Sequence, residues 1–303
     1  ISAAGGTTGD TVTVTATKGA TTKTCTYVIG SATSCDLPAL TDGTWSVSAT
    51  LTDAAGNTST TSGSLSITTD TVAPTAPSAP DLVAASDLGS SSTDNITSDN
   101  TPAMAITGAT EGDTVTISAL KSGVTKTCTY VVGSSTSCDL PTLTDGIWSV
   151  TATLTDQAGN VSTASTALSM TIDTTVPTAP AAPDLLTPSD LGTSSTDNLT
   201  SDSTPAFSAS GGTTGDTITV NATKSGVTKS CSYVVGTATS CDLPTLTDGT
   251  WSVSATVTDP AGNTSTSSSA LSVNIDATSP SAPAAPDLAT ASDSGSSTSD
   301  NNT

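Results

Sequence analysis

The chain lacks most of the side chains on which catalysis and nucleic-acid binding depend. Its 303 residues include no histidine, no arginine and one glutamate, and six lysines stand against 27 acidic residues for a net charge of −21. Phosphate binding needs clusters of lysine and arginine, so we expect no nucleic-acid partner. No nucleophile with a matched general base can be assembled from this composition, so we expect no enzyme.

Aromatic residues and long apolar runs are also scarce. Aromatics make up 2% of the chain, and no apolar run reaches the roughly 18 residues of a membrane-spanning helix, so we expect no membrane insertion of this segment. Threonine, serine, alanine, glycine and aspartate dominate, a bias that alone is typical of disorder. Alternating valine and threonine instead predict half-buried β-strands, and no segment has a helical period.

The sequence repeats itself every 103 residues. Each copy holds one tryptophan in the phrase TDGTWSV or TDGIWSV, at Trp45, Trp148 and Trp251. The period predicts tandem repeats at 1–73, 74–176 and 177–279, followed at 280–303 by a linker and the start of a further repeat. Because Ile1 aligns with Met104, we expect the first repeat to be incomplete at its N-terminus and the chain to belong to a longer protein.

One repeat has the strand count of an immunoglobulin-type sandwich. In the middle copy the alternation predicts strands near 102–107, 114–120, 125–132, 136–140, 147–155 and 165–172, with a short lead-in equivalent to Pro183–Leu185. About seven strands in about 100 residues is typical of that fold. Trp148, Val150 and Ala152 share one strand face and are expected in the core. The predicted fold class is therefore all-β, with seven-stranded Ig-like β-sandwich domains in a linear array.

The six cysteines are spaced for one disulfide in each repeat. Each pair is equidistant from a glycine, so a hairpin turning there would place the two sulfurs on facing positions of neighbouring strands. Closing so short a loop stabilises the folded state by about 2–3 kcal/mol. Free buried thiols are the alternative, while a zinc site lacks ligands. The expected pairs, which imply an oxidising compartment, are Cys25–Cys35, Cys128–Cys138 and Cys231–Cys241.

The segments between repeats carry proline at every third position, as at Pro74, Pro77 and Pro80. This spacing matches the three-residue turn of polyproline II, so it predicts an extended, semi-rigid spacer.

Acidic residues recur at fixed positions around these spacers. Clustered carboxylates, asparagine and backbone carbonyls form the hard oxygen set that Ca²⁺ selects, whereas ordinary turn formation is the competing explanation for the same residues. We expect the TDxxGN loop and the exit of the last strand to approach acids of the following repeat. The candidate ligands are Asp53, Asn57, Asp70, Asp87, Asp94 and Asp99; their copies Asp156, Asn160, Asp173, Asp190, Asp197 and Asp202; and Asp259, Asn263, Asp276, Asp293 and Asp300.

The phrases APDLxxxSDxGxSxTDNxTxDxTP and LTDxxGN resemble the bacterial Ig-like repeats of giant surface adhesins, the biofilm-associated and type I-secreted kind, over essentially the whole chain. The resemblance implies an Ig-like sandwich, calcium at domain junctions and an extracellular location at the bacterial cell surface. It also implies that the acids above act as the ligands. Adhesins of this type usually lack cysteine, so the disulfides are a departure.

These observations favour a structural stalk of an adhesin or surface fibre, whose partners are neighbouring repeats of the same chain. Two other functions stay open. One is a subunit of a self-assembling extracellular filament or sheath, in which a neighbouring copy supplies a strand to the first repeat. The other is a glycan- or receptor-binding module that uses threonine-rich strand faces. The six lysines flank a turn in each repeat and are expected to be exposed.

Overall fold

The computed structural model describes residues 1–293, 296, 297, 299 and 301, and every regular element in that part of the chain is a β-strand. This confirms the all-β prediction. The described residues contain no helix that is long and apolar enough to cross a membrane. The chain divides into two compact units, Ile1–Thr175 and Val176–Thr303. The first unit holds the first and second repeats, and the second unit holds the third.

The first repeat forms one antiparallel sheet of four strands, in the order β2-β1-β3-β4. Its strands are β1 (Thr11–Lys18), β2 (Thr21–Val28), β3 (Gly43–Thr52) and β4 (Leu65–Thr69).

The second repeat forms a complete sandwich. A five-stranded sheet, β6-β12-β11-β8-β9, lies opposite a three-stranded sheet, β10-β7-β5. The strands are β5 (Asp81–Leu82), β6 (Ile96–Thr97), β7 (Ala103–Ala105), β8 (Thr114–Lys121), β9 (Val124–Val131), β10 (Cys138–Asp139), β11 (Gly146–Thr155) and β12 (Leu168–Ile172).

The third repeat has the same two sheets, in the orders β14-β20-β19-β16-β17 and β13-β15-β18. Its strands are β13 (Asp184–Leu185), β14 (Leu199–Thr200), β15 (Ala206–Ser208), β16 (Thr217–Lys224), β17 (Val227–Val234), β18 (Cys241–Asp242), β19 (Gly249–Thr258) and β20 (Leu271–Ile275).

The alternation seen in the sequence separates the core from the solvent face. In β8, Val115, Ile117 and Ala119 are fully buried, while the threonines and serine between them are not. β8 pairs antiparallel with β11 so that Ala152 lies opposite Ile117, and side chains on one face of a pleated pair pack together. Trp148 is buried with them, as predicted.

The seven strands predicted for the middle repeat are present, and the structure adds an eighth. β6 is two residues long and pairs in parallel with the last strand, with Ile96 opposite Thr171 and Thr97 opposite Ile172. No pattern in the sequence predicts this strand, because two residues inside a Ser/Asp-rich segment show no alternation.

The predicted disulfides are confirmed in all three repeats, but each bond joins elements other than the expected ones. Cys128 and Cys138 are bonded with their Cα atoms 5.8 Å apart. Cys128 lies on β9, at the edge of the five-stranded sheet, whereas Cys138 lies on β10, at the edge of the three-stranded sheet. The expectation of neighbouring strands in one hairpin is therefore wrong, since the bond ties the two sheets of the sandwich together at one edge.

The prolines of the spacer pack onto the repeat that they lead into. Pro77 and Pro80 are buried, and the Ser78 hydroxyl donates to the Thr107 backbone oxygen at 3.1 Å and accepts from the Thr107 amide. The second half of the spacer is thus part of the second repeat. The polyproline II conformation of the spacer stays a prediction.

Candidate functional site

Each repeat places two groups of polar residues at opposite ends of its sandwich. In the second repeat, β8 begins and β11 ends at the entry end, because Thr114 pairs with Thr155. β12 leaves at the exit end, where Ile172 pairs with Gly146. The acidic loops at these two ends decide what a junction between repeats can bind.

An aspartate clamp fixes the exit end. One oxygen of the Asp145 carboxylate accepts hydrogen bonds from the Thr174 amide at 3.1 Å and the Thr174 hydroxyl at 2.8 Å, and the other accepts from the Thr175 hydroxyl. These bonds, the Thr174 hydroxyl first, hold the pKa of Asp145 below its usual range. Asp42 and Asp248 make the same kind of contact in their repeats. The clamp ties the chain leaving the last strand back to the sandwich.

A lysine and the tryptophan that recurs in every repeat lie beside the clamp. The Lys121 ammonium lies 5.5 Å from the ring centroid of Trp148, and it donates to the Asp145 backbone oxygen and to the Thr144 hydroxyl. The same lysine–tryptophan pairs recur at Lys18 and Trp45 and at Lys224 and Trp251. The expectation of exposed lysines is wrong, because all six are half-buried, and these three are held over an aromatic face.

The TDxxGN loop lies at the entry end and is closed by its own asparagine. The Asp156 carboxylate accepts from the Asn160 amide at 2.9 Å and from its side-chain amide at 2.9 Å. Asp53 with Asn57 and Asp259 with Asn263 form the same bonds. This is the turn chemistry weighed as the alternative to calcium ligation, and in Asp53 and Asp156 one carboxylate oxygen accepts two backbone amides.

The first and second repeats meet directly through this loop. The Asn160 side-chain amide donates to the Asp70 backbone oxygen at 3.0 Å. Around that contact lies an acidic cavity of about 480 Å³, lined by Asp70, Glu111, Asp113 and Asp156. Glu111 and Asp113 were not among the predicted ligands, although Glu111 stands out in the sequence as the only glutamate.

A buried carboxylate lies in the loop at the exit end. Asp87 is 4% exposed, and its Oδ1 atom has no hydrogen-bond partner, while Oδ2 accepts only from the Asn95 amide at 3.4 Å. Asn95 adopts a positive φ of 59°, a conformation that asparagine tolerates better than most residues. Burial raises the pKa of Asp87, and the charges of Asp94 and Asp81 raise it further. Asp190 and Asp293 have the same unpartnered buried oxygen.

The structure does not gather the candidate ligands into one site. The loop and the exit of the last strand were both expected to approach acids of the following repeat, and for the TDxxGN loop this is wrong, because it lies at the opposite end of the sandwich. Gly43 pairs with Thr69 at one end of β3, whereas Thr52 pairs with Thr58 at the other. Asp53 and Asp70 are thus separated by about nine residues of strand, or about 30 Å. Asp70 meets instead the Asp156–Asn160 loop of the next repeat.

The other candidate acids serve turns. A side-chain oxygen of each accepts the backbone amide two residues on, in Asp70, Asp173, Asp276, Asp94, Asp197, Asp99 and Asp202. Asp300 lies outside the described residues. Across the described part of the chain, no three acidic, cysteine or histidine side chains converge closely enough to hold a metal ion. The best single donor for a cation is therefore the buried Asp87 oxygen and its copies.

The chain matches the family model described as bacterial Ig-like domain three times, at residues 3–71, 73–174 and 175–277. No curated protein matches it.

Several solved structures are similar in fold. The tetra-tandem repeat in the extending region of a large adhesion protein is 23% identical, with 89% of this chain and 68% of that chain covered and a TM-score of 0.25. A Ca²⁺-stabilised adhesin that helps an Antarctic bacterium bind ice is 23% identical over 90% and 67% of the two chains, with a TM-score of 0.31. Part of a 1.5-MDa bacterial ice-binding adhesin is 20% identical over 88% and 87%, with a TM-score of 0.29. These superpositions are too weak to transfer any binding property.

Proposed function

The chain belongs to the bacterial Ig-like domain family, and from this we propose that it is a stalk segment of an extracellular bacterial adhesin or surface fibre. The observation that carries the proposal is the repetition of one set of internal ties. Every repeat has the same disulfide, lysine–tryptophan pair and aspartate clamp at its exit. A binding protein needs one good site. A stalk instead needs every repeat to hold its shape and to fix the direction in which the chain leaves it.

The junction inside the first unit supports the same role. The clamp holds the exit of the first repeat through Asp42 and Thr71, and Asn160 of the next repeat bonds the Asp70 carbonyl directly beside it. Pro77 and Pro80 are buried on the second repeat. Few freely rotating residues are therefore left between the two repeats, and three disulfides fit an oxidising location outside the cell.

Small-angle X-ray scattering of chains with different repeat numbers tests the stalk. We expect the maximum dimension to increase by about 30–40 Å for each complete repeat added, since strands rise about 3.3 Å per residue along the sandwich. Asn160→Ala should broaden the distance distribution of the full chain, while Asn57→Ala, which removes the same bonds within the loop of the first repeat, is the matched control and should leave the distribution unchanged. Equal dimensions for chains with two and three complete repeats would contradict a stalk.

We further propose that the stalk takes up Ca²⁺ at Asp87, Asp190 and Asp293. A buried carboxylate oxygen without a hydrogen bond carries a large desolvation cost, and Asp81 and Asp94 add negative charge beside Asp87. Carboxylate and carbonyl oxygens are the donors that Ca²⁺ prefers. Bound Ca²⁺ would supply the missing partner of Oδ1 and offset the repulsion. Among the residues that the structure describes, no three acidic side chains converge, so backbone oxygens or water must complete the ligand set.

Thermal unfolding with Ca²⁺ and with EDTA tests this proposal. In the wild type we expect Ca²⁺ to raise the melting temperature. The triple variant Asp87→Asn, Asp190→Asn, Asp293→Asn should lose that response and melt higher than the wild type in EDTA, because it removes three buried charges. Asp36→Asn, Asp139→Asn, Asp242→Asn is the matched control and should keep the response. If Ca²⁺ still raises the melting temperature of the first triple variant, the ion binds elsewhere, and the acidic cavity at Asp156 would be tested next.

A further inference from the structure

The core-facing side of the β8–β9 hairpin ends in two lysines. Side chains alternate between the two faces of a strand, so Lys121 continues the row of Ile117 and Ala119, which are fully buried. Lys126 lies opposite Ala119 in the register of the pair and shares its face with Cys128, which packs against the core. Both lysines of the second repeat therefore extend from the core-facing side of the sheet, and both are half-buried.

The two lysines differ in what holds their charge. The Lys121 ammonium donates to the Asp145 backbone oxygen and to the Thr144 hydroxyl, and it lies over the ring of Trp148. Within the part of the chain that the structure describes, the Lys126 ammonium makes no hydrogen bond or ion pair. A half-buried cation without a partner has lost hydration that nothing replaces. Lys126 is thus available to an anion.

A cavity of about 360 Å³ lies beside Lys126. Its walls are mostly apolar and come from Val124, Trp148 and the stems of the two lysines. Three hydroxyl side chains complete the lining, those of Ser122, Thr142 and Thr144. The volume lies within the range of about 300–1,000 Å³ that is typical of sites for small molecules. We call this cavity the lysine pocket.

The charge of the chain restricts the anion that the lysine pocket can take. Six lysines stand against 27 acidic residues, so a ligand with many negative charges is repelled by the surface around the pocket. A ligand with one carboxylate can pair with Lys126 and bring no further charge. A bare ion would leave the apolar walls uncovered, whereas a sugar ring covers them and offers hydroxyl groups to the serine and threonines.

We propose that the lysine pocket binds a sugar with a single carboxylate, such as a hexuronic acid at the end of an otherwise neutral glycan. The carboxylate would accept a charge-assisted hydrogen bond from Lys126 Nζ, and the ring would lie against Val124 and Trp148. The proposal goes beyond the stalk function, which stands whether or not the pocket binds a sugar, and it does not depend on calcium.

The same pocket residues recur in the third repeat and change in the first. All seven lining residues of the second repeat have an identical counterpart in the third, including Lys229 for Lys126 and Val227 for Val124. Three of them differ in the first repeat, where the counterparts are Gly19, Thr21 and Ala39. We therefore expect binding in the second and third repeats and weaker binding in the first. Several weak sites in one chain gain affinity for a ligand that displays several such sugars.

A titration of the ¹⁵N-labelled full chain with methyl α-D-glucuronide, followed by amide chemical shifts, tests the proposal. We expect saturable shifts around Val124 and Lys126 and around Val227 and Lys229. Two other probes each lack one part of the ligand. Methyl α-D-glucoside has the ring without the charge, and acetyl-Gly-Glu-Gly-amide has the carboxylate on a peptide. Each should bind at least about 10-fold more weakly, because a hydrogen bond to a charged group or the cover of the apolar walls is lost.

Variants in two repeats control each other within one chain. Lys126→Met keeps the apolar stem and should weaken binding in the second repeat by about 10- to 100-fold, while the shifts in the third repeat stay as in the wild type. Lys229→Met should do the reverse. Thr142→Trp, at an exposed position of the lining, fills the pocket but keeps both lysines, so it should abolish binding in the second repeat even if Lys126→Met fails to fold.

Three results would overturn the proposal. One is a wild type without saturable shifts, and another is a glucoside or peptide that binds as tightly as the glucuronide. The third is binding in the second repeat that survives Lys126→Met. A charged side chain on an edge strand can also prevent pairing with another chain. If Lys126→Met self-associates in sedimentation velocity and the wild type does not bind the glucuronide, the lysine protects the edge of β9 and the pocket is not a sugar site.

Discussion

Removing a disulfide should affect the first repeat far more than the second. The perturbation is Cys25→Ala with Cys35→Ala in the first repeat, compared with Cys128→Ala and Cys138→Ala in the second. Both bonds close loops with a sequence separation of 10. The loop-entropy estimate gives about 2.7 kcal/mol for either loop. Removing either disulfide therefore lowers the free energy of unfolding by the same amount. Any difference between the two repeats must come from the stability that each repeat has without its disulfide.

The hydrophobic cores of the two repeats differ in size. The buried core of the second repeat has 14 apolar residues, from Leu82 to Ile172, whereas that of the first has six. Leu51 and Ile67 are only partly buried in the first repeat, while their counterparts Leu154 and Met170 are fully buried. A loss of about 2.7 kcal/mol should lower the melting temperature of the second repeat by about 10–20 °C. We expect the same loss to remove most of the stability of the first repeat at room temperature, because a single core of fewer than about 80 residues rarely supplies more than about 3–5 kcal/mol.

Hydrogen exchange followed by mass spectrometry measures the two repeats separately in one chain. Peptides from β1 and β3 should lose protection in the first variant pair, while peptides from β8 and β11 should keep most of theirs in the second. Intact mass without reductant, lower by about two hydrogens for each bond, checks that the untouched disulfides have formed. Equal protection losses in the two repeats would refute the reasoning that core size sets the difference.

Two further predictions concern the exit of the second repeat. Because its hydrogen bonds hold the pKa of Asp145 below its usual range, the clamp should stabilise the repeat at neutral pH and lose that effect as the pH falls through the pKa of the folded state. Asp145→Asn should therefore melt a few degrees lower than the wild type at neutral pH and no lower in acid, as followed by circular dichroism. Lys121→Met keeps the apolar stem but removes the charge over Trp148. It should lower the free energy of unfolding, measured in urea, by about 0.5–1 kcal/mol. Lys126→Met, a lysine for which no such ring contact is observed, should cost less.

The sequence predicted the fold well because the fold depends on alternation and period. Val115, Ile117 and Ala119 alternate with polar residues, and any strand with that pattern buries the same face. The 103-residue period located all three tryptophans in equivalent cores. The strand Ile96–Thr97 was not predicted, because its pairing is set by the position of β12, about 75 residues away in the chain. No local pattern records such a contact.

The junction was harder to predict, because it depends on which end of the sandwich a loop occupies. Asp53, Asp70 and Asp87 are close to the spacers in sequence, and this suggested one cluster. Strand direction decides otherwise, since β3 carries Asp53 away from the exit while β4 brings Asp70 to it. Glu111 gave a visible signal as the only glutamate, but only the tertiary structure places it beside Asp70.

The parallel pairing of β6 with β12 bears on what happens when a repeat is pulled. Tension that draws the last strand toward the following repeat acts along the strand, at right angles to the hydrogen bonds that hold it. Those bonds are then sheared together rather than peeled one after another, and β12 has them on both sides, to β11 and to β6. The third repeat has the same arrangement, with β20 between β19 and β14. Under load we therefore expect both repeats to resist extension at their last strand until the bonds on its two sides break together.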